Sequence, residues 1–314
     1  MGNTNLKEFS VKLREAMKEG RLLEAEPMAK HTTFRVGGPA DWYAYIENVE
    51  MLQNVILLCK QYAVPYYLIG NGSNVLVADA GIRGVVMRLS GEFDEVVLNE
   101  SVPEGICRIT AGAGAMLSRL SLAAGKKGFT GLEFAGGIPG TVGGAVLMNA
   151  GAYGGEIKDT LWAADVLTED GTIKRLTKDE LELSYRHSVL MSTGGIVLKA
   201  YFTLTIRPKI QIFATMESYK KARQEKQPLE FPSAGSTFKR PVGYFAGKLI
   251  QDADLKGCKV GGAEVSKKHA GFVINAGNAT AADVRGLIEH IIKTVKKQSG
   301  VTLEPEVRFL GEFD

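Results

Sequence analysis

Two glycine-rich stretches of the sequence have the composition of loops that bind phosphate. One, at residues 69–79, reads IGNGSNVLVAD, and the other, at residues 138–156, reads IPGTVGGAVLMNAGAYGGE. Glycine has no Cβ and reaches positive φ freely, so such runs let backbone N–H groups converge on an anion without a lysine. A run of this kind can also be only a turn, or a loop that crosses close to a strand. Because both stretches adjoin apolar, strand-like segments, we predict that they bind a phosphate or pyrophosphate group.

Neither stretch matches a common nucleotide-binding motif. Residues 70–75 (GNGSNV) have the first two glycines of G-x-G-x-x-G and lack the third, and the sequence that starts at Gly112 fails at the same position. The sequence G-x-x-x-x-G-K-[ST] does not occur. The chain is therefore predicted to contain neither a Rossmann fingerprint nor a P-loop.

A glutamate and a serine in the last third of the chain are candidates for proton chemistry. In a strand, Glu306 and Arg308 share one face because successive side chains alternate. The alternative is a solvated edge strand, which Pro305 favours. Ser236 lies in AGSTFKRP (residues 234–241), which is not the G-x-S-x-G elbow of a hydrolase. Most serines in such a turn only form a hydrogen bond with the backbone.

Basic side chains accompany these candidates. Arg186 lies in SYRHS (residues 184–188), and its planar guanidinium suits a carboxylate or an enolate. Lys239 and Arg240 add positive charge beside Ser236, which suits an anionic substrate. For His269, a place on the surface without a role is the alternative interpretation.

Five motifs in the same order resemble those of the UDP-N-acetylenolpyruvoylglucosamine reductase (MurB) family. They are GNGSNVLVAD (70–79), GIPGTVGGAVLMNAGAYGGE (137–156), SYRHS (184–188), SAGSTFKRP (233–241) and LEPEVR (303–308). The resemblance extends from about His31 to the C-terminus. It implies an α+β protein, with an FAD-binding fold of the p-cresol methylhydroxylase/vanillyl-alcohol oxidase type and then a smaller α/β substrate-binding domain. That FAD fold is not a Rossmann fold, which agrees with the missing third glycine.

The resemblance also implies a reaction. Members of the family contain FAD, use NADPH as co-substrate and reduce the C=C bond of UDP-N-acetylglucosamine enolpyruvate. The product, UDP-N-acetylmuramate, is a precursor of peptidoglycan. Two rival interpretations stay open: another FAD oxidase of the same wider fold, which uses O2, and a nucleotide-binding module without activity.

Residues that match the family's motifs receive roles from the resemblance. Arg186 and Glu306 are implied at the developing negative charge of the substrate, and Ser236 as the general acid that protonates the substrate carbanion. A serine is so weak an acid that it needs a strongly basic acceptor, which a carbanion is. Lys239, Arg240 and His269 are implied to bind substrate, and no metal is expected. The implied cofactor-binding residues are Asn71, Gly72, Ser73, Asn74, Gly136, Gly137, Gly140, Thr141, Gly143, Asn149 and Gly151.

We predict that the chain belongs to the shorter, type II-like subfamily. Some members carry an inserted loop between the active-site arginine and serine, with a tyrosine that folds over the UDP group. Here Arg186 and Ser236 are separated by 236 − 186 = 50 positions, which predicted elements fill. Tyr201 lies in a predicted strand and Tyr219 in a predicted helix. We therefore expect neither to act as a lid, and we expect an open UDP cleft.

Apolar periodicity and turn signals predict the elements that position these residues. Helices are predicted at 6–23, 49–62, 116–124 and 214–226, and from a capping box of Thr280 and Asp283 to Gly300. Strands are predicted at 85–87, 96–98, 107–110, 196–206 and 301–310, with a hairpin at 162–176 around Asp170-Gly171. The predicted domains are 1–30 (N-terminal helix), 31–207 (FAD-binding, in two subdomains) and 208–314 (substrate-binding).

Composition argues against several other classes of protein. The 314 residues are 45% hydrophobic and 23% charged, with a net charge of +3, too small to indicate nucleic-acid or membrane binding. Cys59, Cys107 and Cys258 are scattered without a C-x-x-C motif, which fits a reducing compartment. No apolar run approaches the length of a membrane span, and the N-terminus does not resemble a signal peptide. We therefore expect a cytoplasmic location, and we expect a monomer.

Overall fold

The computed structural model describes residues 3–17, 20–99 and 106–313 of the chain. These residues form eight α-helices: α1 (Asn3–Met17), α2 (Val49–Gln61), α3 (Leu117–Lys127), α4 (Val142–Leu147), α5 (Leu190–Thr193), α6 (Lys209–Lys226), α7 (Ala246–Asp252) and α8 (Ala281–Ser299). Short 3-10 helices lie at Met28–Lys30, Gly91–Asp94, Glu133–Gly137 and Ile157–Asp159.

The same residues form seventeen strands. They are β1 (Leu22–Pro27), β2 (Pro39–Ile46), β3 (Tyr66–Leu68), β4 (Val75–Val77), β5 (Ile82–Leu89), β6 (Val96–Asn99), β7 (Ile106–Gly112), β8 (Phe129–Thr130), β9 (Gly151–Ala152), β10 (Gly155–Glu156), β11 (Leu161–Leu167), β12 (Ile173–Thr177), β13 (Ile196–Ile206), β14 (Lys259–Val260), β15 (Ala263–Val265), β16 (Val273–Asn275) and β17 (Arg308–Leu310).

Contacts divide the described chain into two compact units, each assembled from segments that are distant in sequence. The first unit comprises the described residues of Met1–Leu22, Ala44–Gly70 and Val86–Ala222. The second comprises the described residues of Leu23–Tyr43, Asn71–Val85 and Arg223–Asp314. These units are not the domains predicted at 1–30, 31–207 and 208–314, which are domains in the family's sense and stay a prediction.

The first unit is built on a six-stranded sheet with the order β12-β11-β13-β7-β6, in which β8 also pairs with β13. Along the central strand β13, Ala200, Phe202 and Leu204 are buried at alternate positions, and α4 packs against this strand. The predicted hairpin is present as β11 and β12, with Leu167 opposite Ile173. The apolar alternation and the Asp-Gly turn were therefore sufficient to predict this part of the sheet.

The second unit has its core around α8 and the antiparallel sheet β14-β15-β16. The buried apolar residues of α8 recur at helical spacing: Val284, Leu287, Ile288, Ile291 and Val295. The helix begins at the predicted capping box, where the Asp283 N–H donates to the Thr280 hydroxyl at 3.0 Å, and it ends at Gly300 with a φ of +74°. Local sequence therefore predicts where this helix begins and ends.

The end of the first glycine-rich stretch, which contains strand β4 and Asp79, is held at two points within the second unit. It pairs in parallel with β17, with Leu76 opposite Phe309. The Asp79 carboxylate accepts hydrogen bonds from the Ala281 and Ala282 N–H groups at 2.7 and 2.9 Å. These donors belong to the first turn of α8 and have no partner within the helix, so Asp79 acts as its cap.

The N-terminal helix is shorter than the predicted 6–23. It spans Asn3–Met17, and the Gly20 N–H bonds to the Met17 carbonyl at 2.7 Å. From Leu22 onward the chain forms β1 instead. Residues 18 and 19 of the predicted helix lie outside the described residues.

The last strand is also shorter than the predicted 301–310, and only Arg308–Leu310 is a strand. Pro305 forms an isolated bridge with Phe238, so the chain changes partner before β17 begins. Leu303 and Val307 are buried as the alternation predicts, whereas Phe309 is 38% exposed. The prediction was wrong because it assumed one strand with one partner.

Candidate active site

Loop 71–74, in the second unit, has at its centre a backbone that only glycine fits. Gly72 is buried with a φ of +62°, and a Cβ there would lie 1.9 Å from the carbonyl oxygen of His31. Its own carbonyl accepts from the Thr33 N–H at 3.0 Å. Asn71 and Ser73 on either side are half-buried. The loop therefore carries an amide and a hydroxyl on a fixed backbone, which are donor types that bind phosphate.

Asn74 joins this loop to the segment that carries Glu306. Its side-chain amide donates to the backbone oxygen of Glu306 at 3.0 Å, and its own backbone oxygen accepts from the Arg308 N–H at 3.0 Å. The pairing of β4 with β17 follows at once, with Val75 opposite Arg308. The second unit thus brings an expected cofactor-binding residue into direct contact with an expected catalytic residue.

Ser236 and Glu306 lie on neighbouring backbone segments. The Glu306 N–H donates to the Thr237 carbonyl at 2.8 Å, and the Thr237 N–H donates to the Gly271 carbonyl at 2.9 Å. Thr237 is fully buried, and its hydroxyl oxygen accepts from the Val273 N–H at 2.9 Å. Ser236 is exposed beside this anchored residue. Its backbone is fixed while its side chain stays accessible, as a proton donor to a substrate requires.

The two expected substrate-binding cations lie three and four residues after Ser236. The Lys239 N–H donates to the Glu304 carbonyl at 2.9 Å, and the Lys239 ammonium pairs with the Glu304 carboxylate. The guanidinium of Arg240 lies over the Phe245 ring, 4.0 Å from its centroid. An anionic substrate at Lys239 would therefore compete with Glu304 for the ammonium.

His269 is half-buried, so it differs from the exposed surface histidine considered as an alternative. Its Nδ1 accepts from the Gly271 N–H at 3.1 Å, and its ring meets the Phe272 ring edge-on at 4.9 Å. Burial and the charge of Lys256 lower the pKa of His269. The ring is therefore neutral at pH 7, and because Nδ1 accepts a hydrogen bond, the ring proton is on Nε2. The Nε2–H group of His269 is therefore a hydrogen-bond donor that suits a substrate oxygen.

Packing explains some of the glycines in the second glycine-rich stretch, which lies in the first unit and is called the glycine run below. The Val142 and Gly143 N–H groups donate to the Ala115 and Ala113 carbonyls, both at 2.8 Å. A Cβ at Gly143 would lie 2.9 Å from the Cβ of Ala113. These two N–H groups are engaged by the protein, so a cofactor contact at Gly143 would use its Cα. Gly144, the next residue, is exposed.

Arg186 lies in a tight turn of the first unit. Ser184 and His187 form an isolated antiparallel bridge, and Arg186 between them has a φ of +55°. Its Nη2 donates to the Gly151 carbonyl at 3.3 Å, and its guanidinium lies 4.9 Å from the centroid of the Tyr185 ring. Non-glycine residues with positive φ are uncommon and cluster at active sites, where the surroundings must hold them.

Asn149 connects this turn to the glycine run. It is fully buried with a φ of +42°. Its amide nitrogen donates to the Ser184 carbonyl at 2.9 Å and to the Glu156 carboxylate at 3.1 Å. Its amide oxygen accepts from the Lys158 N–H at 2.9 Å. The side chain of this expected cofactor-binding residue is therefore bonded to other segments of the first unit.

Glu156 belongs to the same arrangement, although it is not among the site residues predicted from the sequence. Its carboxylate lies 2.9 Å from the Lys158 ammonium. Burial alone would raise the pKa of Glu156, but hydrogen bonds from Lys158 and Asn149 and the charge of Arg186 outweigh it and hold the pKa below its usual value. Glu156 is therefore ionised at neutral pH. The signal in the sequence was an acidic residue at the end of the run GAYGGE.

The residues of both stretches fit the requirements of FAD. Its diphosphate needs backbone and small polar donors, and its flat rings need surfaces without bulky side chains. Gly72 supplies a left-handed backbone without room for a Cβ. Gly136, Gly137 and Gly140 are half-buried and carry no side chain. The described residues contain no group of three or more His, Cys, Asp or Glu side chains that could hold a metal ion. None of the helices described is long and apolar enough to cross a membrane.

Two family models match the chain. The FAD-binding domain model matches residues 40–177, which include both glycine-rich stretches. The model of the C-terminal domain of UDP-N-acetylenolpyruvoylglucosamine reductase matches residues 227–310, which include Ser236, His269 and Glu306. The two matches confirm an FAD-binding domain followed by a C-terminal domain, and the mixture of helices and strands confirms the predicted α+β class. The p-cresol methylhydroxylase/vanillyl-alcohol oxidase type of the FAD-binding fold stays a prediction.

Curated relatives extend this match to the full chain. A UDP-N-acetylenolpyruvoylglucosamine reductase of Agathobacter rectalis is 54% identical over 97% of this chain and 99% of its own length. One of Lachnoclostridium phytofermentans is 50% identical over 99% of each chain. The crystal structure of the enzyme from Thermus caldophilus is similar with a TM-score of 0.77, at 37% identity over 93% of this chain and 99% of that one. Such mutual coverage leaves no long insertion relative to these proteins, which fits the shorter subfamily.

The motifs, the two matched domains and the full-length relatives agree with one another. The chain belongs to the UDP-N-acetylenolpyruvoylglucosamine reductase family, whose members are FAD-binding oxidoreductases of peptidoglycan precursor synthesis.

Proposed function

We propose that this protein reduces UDP-N-acetylglucosamine enolpyruvate to UDP-N-acetylmuramate, with NADPH as co-substrate and FAD as cofactor. The observation that carries the proposal is 54% identity over 311 residues to a protein named UDP-N-acetylenolpyruvoylglucosamine reductase. When bound, FAD would supply hydride transfer, from NADPH to the methylene carbon of the substrate. The residues of the chain would bind the reactants, orient them and move the proton.

Two stretches would hold the FAD. In the second unit, Asn71, Gly72, Ser73 and Asn74 would contribute the loop with the left-handed glycine. In the first unit, the cofactor would lie against the glycine run, at Gly136, Gly137, Gly140, Thr141, Gly143, Asn149 and Gly151. The backbone of Gly72 and the half-buried positions of Gly136, Gly137 and Gly140 support this assignment.

Arg186 would bind the carboxylate of the enolpyruvyl group. Hydride addition to the methylene carbon leaves negative charge on the adjacent carbon, and that charge spreads into the carboxylate. A guanidinium stays protonated and offers two parallel N–H donors, so its interaction strengthens as the charge grows. The strained φ of Arg186 supports a role that needs one fixed orientation.

Ser236 would protonate the carbon next to the methylene carbon, on which the negative charge develops. Its exposure beside the buried Thr237 supports the role, because the hydroxyl is accessible while the backbone is anchored. Glu306 is half-buried, and its backbone is bonded to Thr237 and Asn74. Its carboxyl group would stabilise the charged intermediate through its own proton or hydrogen bonds.

The UDP group would bind in an open cleft lined by Lys239, Arg240 and His269. We expect neither tyrosine between Arg186 and Ser236 to act as a lid, because each is engaged within the first unit. The Tyr201 hydroxyl donates to Asp165 at 2.6 Å from within β13, and the Tyr219 ring stacks on Tyr153 at 4.5 Å from within α6. This supports the shorter subfamily.

Anaerobic stopped-flow spectroscopy of the purified holoenzyme tests the proposal. The protein should release FAD rather than FMN on denaturation, and NADPH should bleach its flavin absorbance. Adding UDP-N-acetylglucosamine enolpyruvate should restore the absorbance and give UDP-N-acetylmuramate, identified by mass spectrometry. A protein that cannot be loaded with FAD, or a reduced form that the substrate does not reoxidise, would refute the proposal.

Oxygen uptake separates the two rival functions. An FAD oxidase of the same wider fold would consume O2 in proportion to substrate turnover, whereas the reductase would not need it. A binding module would retain nucleotide without any turnover. The presence of Arg186, Ser236 and Glu306 supports the reductase over both.

The proposal includes a cytoplasmic monomer. NADPH and a UDP-sugar are cytoplasmic metabolites, and the described structure has Cys59, Cys107 and Cys258 as free thiols, which suits a reducing compartment. Light scattering coupled to gel filtration gives the oligomeric state, and a mass near 33.9 kDa is expected.

A further inference from the structure

The turn that carries Arg186 is joined to the glycine run by buried polar contacts that the proposed function leaves unused. We propose that Asn149 and Glu156 are positioning residues for Arg186, and that Asn149 serves the reaction through Arg186 rather than by a side-chain contact with the cofactor. The inference rests on the proposed function, which assigns Arg186 to the substrate carboxylate.

The amide of Asn149 has no N–H left for a cofactor. A side-chain amide has two N–H donors, and here they go to the Ser184 carbonyl and the Glu156 carboxylate. Its oxygen accepts from the Lys158 N–H, and the residue is fully buried. The side chain is therefore committed to the protein, and its removal would leave a carbonyl, a carboxylate and an N–H with lost partners.

Two hydrogen bonds join the turn of Arg186 to the glycine run, and each segment supplies one donor. Asn149 donates to the carbonyl of Ser184, two residues before Arg186. Arg186 donates to the carbonyl of Gly151, two residues after Asn149. A positive φ at both Asn149 and Arg186 persists only where neighbouring contacts determine the backbone. The two bonds together determine where the guanidinium lies relative to the run.

Glu156 adds charge to this arrangement. Its carboxylate accepts from Asn149 and from the Lys158 ammonium, and it interacts electrostatically with Arg186. Replacement by glutamine keeps the shape and removes the charge. The guanidinium would then lose a countercharge, and Asn149 would lose its anionic acceptor. Both changes loosen Arg186 without touching substrate or cofactor.

The decisive variants are Glu156→Gln and Asn149→Ala, with Glu156→Asp as the conservative variant. We expect Glu156→Gln to retain its FAD and its rate of flavin reduction by NADPH. Reoxidation by the enolpyruvyl substrate should slow by about 10²-fold or less, the size of effect that misplacement of a reacting group by about 1 Å produces. Glu156→Asp should recover part of that loss. Calorimetric titration of the oxidised holoenzyme with substrate should show weaker binding in Glu156→Gln.

Asn278→Ala is the matched control for Asn149→Ala. Asn278 is also an asparagine at positive φ (+55°), but it is exposed and lies in the second unit. It should lower the unfolding temperature without changing either half-reaction, whereas Asn149→Ala should slow substrate reduction selectively. If Asn149→Ala does not fold, Glu156→Gln decides by itself.

Three results would overturn the inference. One is an Asn149→Ala enzyme that loses FAD affinity while its loaded fraction reduces substrate normally, since Asn149 would then be a cofactor contact. Another is a Glu156→Gln enzyme with wild-type rates in both half-reactions. The third is equal damage to both half-reactions in Glu156→Gln, which indicates a merely structural role. Failure of the proposed function itself would be visible in the wild-type enzyme, which would then not turn over.

Discussion

The two units hold their candidate catalytic residues by different means. In the first unit, the turn of Arg186 is fastened by the side-chain amide of Asn149, which also donates to the carboxylate of Glu156. In the second unit, the segments of Ser236 and Glu306 are fastened mainly by backbone bonds, from the Glu306 N–H to Thr237 and onward to Gly271, and the Asn74 amide adds one side-chain bond to the Glu306 carbonyl. A backbone bond survives a change of side chain, so single substitutions near Arg186 should affect catalysis more than substitutions beside Ser236.

The difference also follows the chemistry that each part is expected to perform. A guanidinium on a long side chain has many rotamers and gains from a nearby countercharge. A serine hydroxyl has one χ angle, so placing its backbone is nearly enough to place its oxygen. The two positions thus differ in what they need: the long side chain of Arg186 needs neighbouring side chains to orient it, and Ser236 needs only an anchored turn.

Replacement of the proposed acid should have the largest effect. Ser236→Ala removes the proton donor, and general acid catalysis is typically worth ~10²–10⁴-fold, so substrate reduction should slow by that factor. FAD reduction by NADPH should be nearly unchanged. Single-turnover stopped-flow separates the two half-reactions. Equal loss in both would mean that Ser236 has a structural or cofactor-binding role.

A change at Thr237, the buried residue beside Ser236, tests whether backbone hydrogen bonds hold the segment of Ser236. Thr237→Val removes the acceptor for the Val273 N–H, and an unsatisfied buried donor costs about 1–3 kcal/mol of unfolding free energy. The bond from the Glu306 N–H to the carbonyl of residue 237 should persist. Denaturant unfolding should therefore show the loss of stability, while kcat per FAD-loaded molecule falls much less than in Glu156→Gln. A larger kcat loss than in Glu156→Gln would reverse the comparison.

Acid should weaken the second unit through the cap of α8. The N–H groups of Thr280 and Gly262 donate to Asp283 and hold its pKa below the usual value. A lowered folded-state pKa means that the stabilisation is complete above the unfolded pKa, near 4, and is lost as the pH falls through the folded pKa. Asp283→Asn should lower the free energy of unfolding at pH 7 by about 1 kcal/mol. It should also make that free energy depend less steeply on pH in the acidic range. Unfolding measured between pH 7 and pH 3 checks this, and parallel curves for the two proteins would contradict it.

The smallest effect is expected at Tyr219. Its ring stacks on Tyr153, 4.5 Å between centroids and 6° between planes, on the turn between β9 and β10. Tyr219→Phe keeps the ring, so substrate KM and FAD content should stay at wild-type values. Steady-state kinetics with varied substrate tests this. A large, selective rise in KM, with the fold intact, would instead make Tyr219 a lid residue and refute the assignment to the shorter subfamily's open cleft.

Elements with a local cause were predictable from the sequence. The capping box of Thr280 and the apolar stripe of α8 are complete within one helix, and the Asp-Gly hairpin is complete within one turn. The last strand was not predictable, because alternation at residues 301–310 does not say that the chain changes partner at Pro305. The role of Glu156 was missed for a similar reason, since the charge of Arg186 that affects it lies at a distant position in the chain.

Taken by itself, the sequence determined the family, the class of cofactor and the identity of Arg186, Ser236 and Glu306 as candidates, because motifs record residue type and order. The tertiary structure decided what holds them. The amide of Asn149 reaches Ser184 across 35 positions of sequence, and the amide of Asn74 reaches Glu306 across 232. Hydrogen-bond partners at such separations are chosen by how the chain folds back on itself, and no local pattern of residues encodes them.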